Sequence, residues 1–428
     1  MTHQDPAITL DRLRRIPGWS PEREPRCVWI RGGGDAAALL AIALAGLGAR
    51  RVVLHQEAGQ QVPSRIAPRL TWWLDDVRFE VRNRGYGRDA LALALEALEV
   101  KLFVDLAGGS QDGLRAAVSA GIPAYATSLW GGRLSFSLAD RSLEPLPRSD
   151  QASIEAVLAL AGFLSHDYAN RFVLQLPSDL LPPETFRFDI SRPWTDPHEP
   201  APPQPITLSR PLRVLLVGAG GLGCPAAVAL ANRLPDGSRV VVCDFDRVDP
   251  TNRNRQFLFN SVDAGRGAPK PEALCREARP LNPKLEWVGV NGAFPNRIIH
   301  RYGPFDCAFA LTDSFASRLA IDRARVAPVL IDAAVDERSA YAALFHDGTA
   351  QMSEALGLEE AAARESGRAS CGRAEPSIVS TNFIGAALAV SLLSRHLAFG
   401  PEPARLYSYE YSTAERGGAW PPFPEAGR

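Results

Sequence analysis

Few folds can accommodate the stretch LRVLLVGAGGLGCPAAVALANRL, residues 212–234. An unbroken apolar run leads into Gly218-Ala219-Gly220-Gly221-Leu222-Gly223, and a run of small residues follows. Apolar residues without alternation mark a strand buried on both faces, as in a parallel sheet covered by helices. Glycines at the turn from that strand into a helix let a ligand approach the helix N-terminus, whose free N–H groups attract anions. A second strand, RVVVCDFD, closes on Asp244, where a ribose hydroxyl would be held. The glycine turn alone fits an NAD dehydrogenase equally well.

The same order of strand, glycine turn, helix and strand occurs earlier, in RCVWIRGGGDAAALLAIALAGLGARRVVLHQ, residues 26–56. A second correspondence pairs VKLFVDLAGGSQDGLRAAVSAGIPAYATSL with FDCAFALTDSFASRLAIDRARVAPVLIDAAV. Alternating strands and helices imply parallel sheets with crossover helices, so the expected fold is α/β, with two tandem Rossmann-like units. Proline removes backbone donors and disfavours helix and interior strand. The proline-rich stretch 176–211 therefore reads as a linker between a first unit, 1–175, and a second, 212–428.

The residues beyond the second strand distinguish the two readings of the glycine turn. Asp244-Phe245-Asp246-Arg247-Val248-Asp249-Pro250-Thr251-Asn252-Arg253-Asn254-Arg255-Gln256 concentrates acid, amide and guanidinium groups in one loop. Lys270 and then Asp313, at a strand end in LTDSFASR, follow. A dehydrogenase has no use for added cations and a late aspartate around its phosphates. Nucleotidyl transfer does: Arg and Lys neutralise the phosphates and the leaving pyrophosphate, and an aspartate holds magnesium.

On these motifs the chain resembles the ThiF/MoeB and ubiquitin-activating enzyme superfamily, across about 110 residues carrying GxGGLG, DFDxVxxxNxxRQ, a following lysine and a TDxxxxR stretch. The resemblance implies that Gly218, Gly220, Gly221 and Gly223 cradle ATP, with Asp244 and Asp246 beside its ribose. It implies Asn252, Arg255, Gln256 and Lys270 around the phosphates, and Asp313 as magnesium ligand. Ser314 departs from the asparagine usual in the family, and Lys270 is slightly displaced from the usual spacing. The implied reaction is attack of a substrate carboxylate on the α-phosphate. It needs no general base, because a carboxylate is already ionised at neutral pH.

The first unit lacks this equipment. Asp35 stands in its glycine turn, His55 and Gln56 replace the ribose aspartate, and no NxxRQ loop follows. An inactive copy fused to an active one resembles the pseudo-dimer of ubiquitin-activating enzymes. In the superfamily's dimers an arginine from one half reaches the other half's ATP. Arg15, then Arg12, in RLRRIPGW are the candidates here.

Six cysteines, at 27, 224, 243, 275, 307 and 371, form no CxxC pair, which disfavours a structural zinc site. Five fall on strands or helices and read as core filling. Cys371 lies in a small, polar segment expected to be an exposed loop over about 342–380, flanked by Arg368 and Arg373. Nearby cations lower a thiol pKa, and the thiolate is the nucleophile. Its place before a helix resembles the crossover-loop cysteine of ubiquitin-activating enzymes, which implies a thioester there.

The expected activity is adenylation of the C-terminal glycine of a ubiquitin-like protein, capture on Cys371, and transfer to a ubiquitin-conjugating-like enzyme. The competing readings are a sulfur-carrier or peptide adenylyltransferase without the thioester step, and a partner-binding scaffold with a vestigial nucleotide site. A net charge of −1 gives no electrostatic reason for nucleic acid or an acidic membrane as partner. No apolar run is expected to span a bilayer, and the N-terminus lacks a secretion-type apolar segment, so a cytoplasmic location is expected. An intramolecular pseudo-dimer would let the chain work as a monomer.

Overall fold

In the computed structural model the described residues are 10–56, 64–106, 111–138, 152–177, 181, 185–190, 206–297, 299–347, 350–366, 378–400 and 406–410. After a short helix α1 (Asp11–Arg14), the first half runs β1 (Cys27–Arg31), α2 (Gly34–Gly46), β2 (Arg51–His55), α3 (Leu70–Trp73) and β3 (Arg78–Arg82). It continues through α4 (Arg88–Ala97), β4 (Leu102–Asp105), α5 (Gln111–Ser119), β5 (Ala124–Trp130), β6 (Arg133–Leu138), α6 (Ile154–Tyr168) and β7 (Thr185–Asp189). The second half begins with β8 (Arg213–Val217), α7 (Gly223–Arg233), β9 (Arg239–Asp244), α8 (Ser261–Arg266), α9 (Lys270–Ala278) and β10 (Glu286–Asn291). Then come β11 (Cys307–Ala310), α10 (Phe315–Ala324), β12 (Val329–Val335) and β13 (Ser339–His346). It closes with α11 (Met352–Ala355), α12 (Leu358–Ser366), α13 (Val379–Phe399) and β14 (Leu406–Glu410).

The sheets have one topology, β3-β2-β1-β4-β5-β6-β7 and β10-β9-β8-β11-β12-β13-β14. In each, the first five strands pair in parallel and the last two pair antiparallel. Strand order reverses between β1 and β4, and between β8 and β11. A doubly wound sheet opens its ligand crevice at such a point, beyond the carboxyl ends of the strands.

Two segments differ from expectation. The stretch 176–211 is not linker throughout, because β7 pairs antiparallel with β6. The run Thr185–Asp189 holds no proline, and its alternate Phe186 and Phe188 both reach the ring of Phe163, with centroids 4.8 and 5.1 Å away. Alternation with an apolar face outweighs the flanking prolines. The segment 342–380 is likewise not one exposed loop. Its first residues complete β13, and α11 and α12 follow, with Met352 and Leu358 buried beside Phe345. Cys371 lies outside the described residues.

The halves meet through α6 and α13, whose residues join one apolar cluster. Both helices are apolar on nearly every side, the pattern of a helix with no solvent face. At 21 residues α13 is long and apolar enough to cross a membrane, contrary to expectation, but 78% of its apolar window is buried inside the protein. Polar locks fix the seam. Glu277 of α9 accepts from Arg69, Trp72 and Trp73 of the first half, Arg233 pairs with Glu155, and Ser165 and Ser380 share a 2.8 Å hydrogen bond.

Candidate functional site

The crevice beyond β8, β9 and β11 gathers most of the expected residues. Gly218 has φ +110°, and a Cβ there would stand 2.4 Å from the Leu311 carbonyl, so the turn's first position excludes side chains. Gly221 and Gly223 are held equally tightly, by Asn382 of α13 and by the Gly218 carbonyl. Gly220 differs: a Cβ there would meet only the Gln256 amide, at 3.6 Å. Packing thus explains three of the glycines, while Gly220 has space for a side chain.

Asp244 ends β9 and braces this turn. Its two carboxylate oxygens accept from the Ala219 and Asp246 N–H groups, at 2.7 and 2.8 Å. The loop beyond folds back so that Val248 and Lys270 donate to the Ala268 and Asp246 carbonyls. That pairing sets Lys270 at the start of α9, buried, with Nζ donating to Asp246 at 2.7 Å. The displaced lysine therefore reaches the loop by backbone pairing, which linear spacing does not reveal.

In the 3-10 turn Pro250–Asn252, the Asp249 and Asn252 side chains cap the turn reciprocally. Asn252 is thus engaged in building the loop. Arg255 and Gln256, which follow it, are both buried. Gln256 Oε1 accepts no hydrogen bond among the described residues. Arg255 donates to the Thr251 carbonyl and Asn254 Oδ1, at 3.3 and 3.0 Å. Burial, then the charge of Arg12, brings its pKa down to about 9, and Asp313 and Asp249 act in the opposite sense. It stays a cation at neutral pH, in a site where the neighbouring carboxylates do not restore its ordinary pKa.

The two N-terminal candidates separate. Arg15 is exposed and pairs with Asp11 at 2.6 Å. Arg12 is half-buried where α1 lies against the turn Pro250–Asn252, and its Nε has no hydrogen-bond partner among the described residues. A first-half guanidinium is therefore within electrostatic reach of Arg255.

Asp313 is exposed in the turn after β11, within electrostatic reach of Arg255. Its turn is braced from behind by Arg318, which donates to the Thr312 carbonyl at 2.9 Å and to Tyr341 Oη at 2.6 Å. Tyr341 donates to the fully buried Asp332, whose pKa burial raises. Arg318 is the arginine of the TDxxxxR stretch, but the sequence did not reveal this brace, nor the clamp on the phosphate loop. There Arg253, 3% exposed at its side chain, donates to Asp75 and Asp76 of the first half, and Asp75 also accepts from Ser261.

At the corresponding end of the first sheet, the charged side chains pair within the protein. By register Arg31 and Asp105 occupy the places of Val217 and Ala310, and they form a buried ion pair at 3.0 Å. Asp35 accepts from Ser64 Oγ and from the Arg65 and Ile66 N–H groups. The acid in the first glycine turn thus caps a protein turn.

The five cysteines read as core are all buried. Desolvation raises the thiols of Cys27, Cys224, Cys243, Cys275 and Cys307, those of Cys224, Cys243 and Cys275 to about 12.

The doubly wound sheets and the glycine turn define a Rossmann-like α/β protein. The ThiF family model matches residues 207–424, half of the sequence, and the chain belongs to the ThiF family. Three curated relatives match shorter stretches of the chain. They are human ubiquitin-like modifier-activating enzyme 7, 39% identical over 116 residues, the Arabidopsis thaliana NEDD8-activating enzyme E1 catalytic subunit, 35% over 107, and Aspergillus terreus adenylyltransferase and sulfurtransferase uba4, 34% over 113. The matches cover 25–26% of this chain but only 11%, 23% and 22% of those proteins. Among solved structures, E. coli MccB with ATP aligns over 50% of this chain and 66% of its own at 19% identity, TM-score 0.39. PaaA aligns over 50% and 73% at 18% identity, TM-score 0.41.

Proposed function

We propose that this chain activates the C-terminal carboxylate of a ubiquitin-like protein as its acyl-adenylate, using ATP and magnesium. The observation that carries the reading is the pair of cations Arg12 and Arg255, one from each half, converging beside an open glycine turn. A buried guanidinium held against a like charge is costly, and a polyphosphate supplies the missing anion. Gln256 and Lys270 complete the phosphate surroundings. Attack of the carboxylate on the α-phosphate then releases pyrophosphate, and the cations stabilise the charge that develops on it.

Asp313 fits magnesium as a single exposed carboxylate, and no group of three ligating side chains occurs among the described residues. Asp313 would hold such an ion beside the phosphates, where it would supply charge neutralisation. The first half, with Arg31, Asp105 and Asp35 engaged by protein partners, is the inactive partner in an intramolecular pseudo-dimer. It contributes Arg12 and the Asp75–Asp76 clamp.

The second step is attack of the Cys371 thiolate on the adenylate carbonyl. A C–S bond forms, and AMP leaves with the electron pair of the broken C–O bond. Burial of the other five thiols supports Cys371 as the acceptor, as do Arg368 and Arg373 beside it in sequence. A conjugating-type enzyme would receive the acyl group. The reading that stops at the adenylate draws on the likeness to uba4, an adenylyltransferase and sulfurtransferase.

Carboxylate-dependent ATP–pyrophosphate exchange with candidate ubiquitin-like proteins tests the first step. Exchange that survives Arg255→Ala or Asp313→Ala at the wild-type rate overturns it. For the second step, a thiol-reducible adduct with the carrier should form and vanish in Cys371→Ala.

A further inference from the structure

Ser314, the departure from the family pattern, has a structural partner that no motif predicts. It caps α10, its Oγ accepting from the Ser317 N–H at 3.3 Å. The same hydroxyl donates to Glu365 Oε2 at 3.2 Å, and the Ala316 N–H donates to that oxygen at 3.2 Å. The free N–H groups of the first helical turn are thus shared between the residue beside Asp313 and a carboxylate arriving from α12. The carboxylate also meets the positive end of the helix dipole.

The α12 helix is seated to do this. Arg323 of α10 pairs with Glu359 at 2.6 Å, and in the preceding α11 the Ser353 N–H donates to Asp322 of α10 at 2.9 Å. Leu319 packs against the cluster that contains Leu358. Glu365 lies one residue from the end of α12 and six positions before Cys371 in sequence.

We propose that Glu365 is a positioning residue for adenylation, setting the turn that presents Asp313 to magnesium. This rests on the reading of Asp313 as the metal ligand given above. A flexible asparagine-type side chain is not needed at position 314, because the short hydroxyl holds Glu365 and caps the helix together. Loss of the Glu365 carboxylate frees the Ala316 N–H and one side of the Ser314 hydroxyl, and the turn before them gains freedom that metal binding must then remove.

The test is calorimetric ATP binding to the full-length protein across a magnesium chloride series, which requires no carrier. Glu365→Ala should raise the magnesium concentration for half-maximal ATP affinity about three- to tenfold. Affinity at saturating magnesium should stay within about twofold. Glu365→Gln keeps an acceptor oxygen and should track wild type. Ser314→Gly, tolerated at a helix cap, should give a smaller shift in the same direction. Glu365→Ala with a lowered Tm but an unmoved magnesium midpoint overturns the proposal, and so does a wild-type midpoint in Ser314→Gly. Should Asp313→Ala itself leave the magnesium dependence intact, the metal-ligand reading fails, whatever Glu365 does.

Discussion

Two sheets with one strand order end in opposite ways. At the first, Arg31 and Asp105 neutralise one another and Asp35 caps a turn, so charge and hydrogen bonds close within the protein. At the second, Arg12 and Arg255 converge, and Gln256 Oε1 accepts no hydrogen bond among the described residues. A polar site satisfied from within has nothing left for a ligand. One that bears an electrostatic cost holds free energy that a ligand can release. Divergence of the halves has therefore turned one crevice into structure and kept the other unfinished, and the finished half supports the unfinished one.

The sharpest break of this contrast is Arg255→Met. Exchange should fall about a thousandfold or more, the scale of losing a charge-stabilising donor. Removal of a buried cation set against Arg12 should also raise the Tm of the ligand-free protein, by about 1–3 °C in calorimetry. A Tm that falls would mean that the cation is already satisfied.

The mirror experiment is Asp105→Ala. It strands Arg31 in the core and should cost about 3 kcal/mol or more in denaturant unfolding, with exchange per folded molecule unchanged. Next in size, Arg12→Ala should lower exchange about a hundredfold, while Arg15→Ala stays within about twofold; steady-state exchange assays decide between them. Smallest is the clamp. Asp75→Asn with Asp76→Asn should slow exchange about tenfold without dissociating the halves, since the Glu277 and Glu155 locks remain. Partial recovery in Arg253→Asp with Asp75→Arg would show that the pairing, and not either side chain alone, matters.

The glycine turn, the charged loop and the repeat were legible because each is local: a turn needs its glycines, and strands buried on both faces need unbroken apolar runs. Strand β7 was obscured by prolines flanking a short alternating run; the helix α13 was legible, but not its full apolar length, which scattered serines interrupt. The choice of Arg12 over Arg15 depends on which way a four-residue helix faces a turn some 240 positions away, information that spacing does not carry. Glu365, Tyr341 and Asp332 read as ordinary surface or strand residues, and the roles of Arg253 and Arg318 stay hidden, until their distant partners are placed beside them.

The apolar cluster that runs unbroken from α2 and α6 into α7 and α13 has a consequence for how the protein breaks. Neither half owns a complete interior, so neither is a module that could be excised and kept. Melting should be a single cooperative event. A protease cut within residues 191–205 should leave two fragments that copurify and still exchange pyrophosphate. The peptide link would then be a tether ensuring equal supply of two pieces, and the same machine could be encoded as two separate chains.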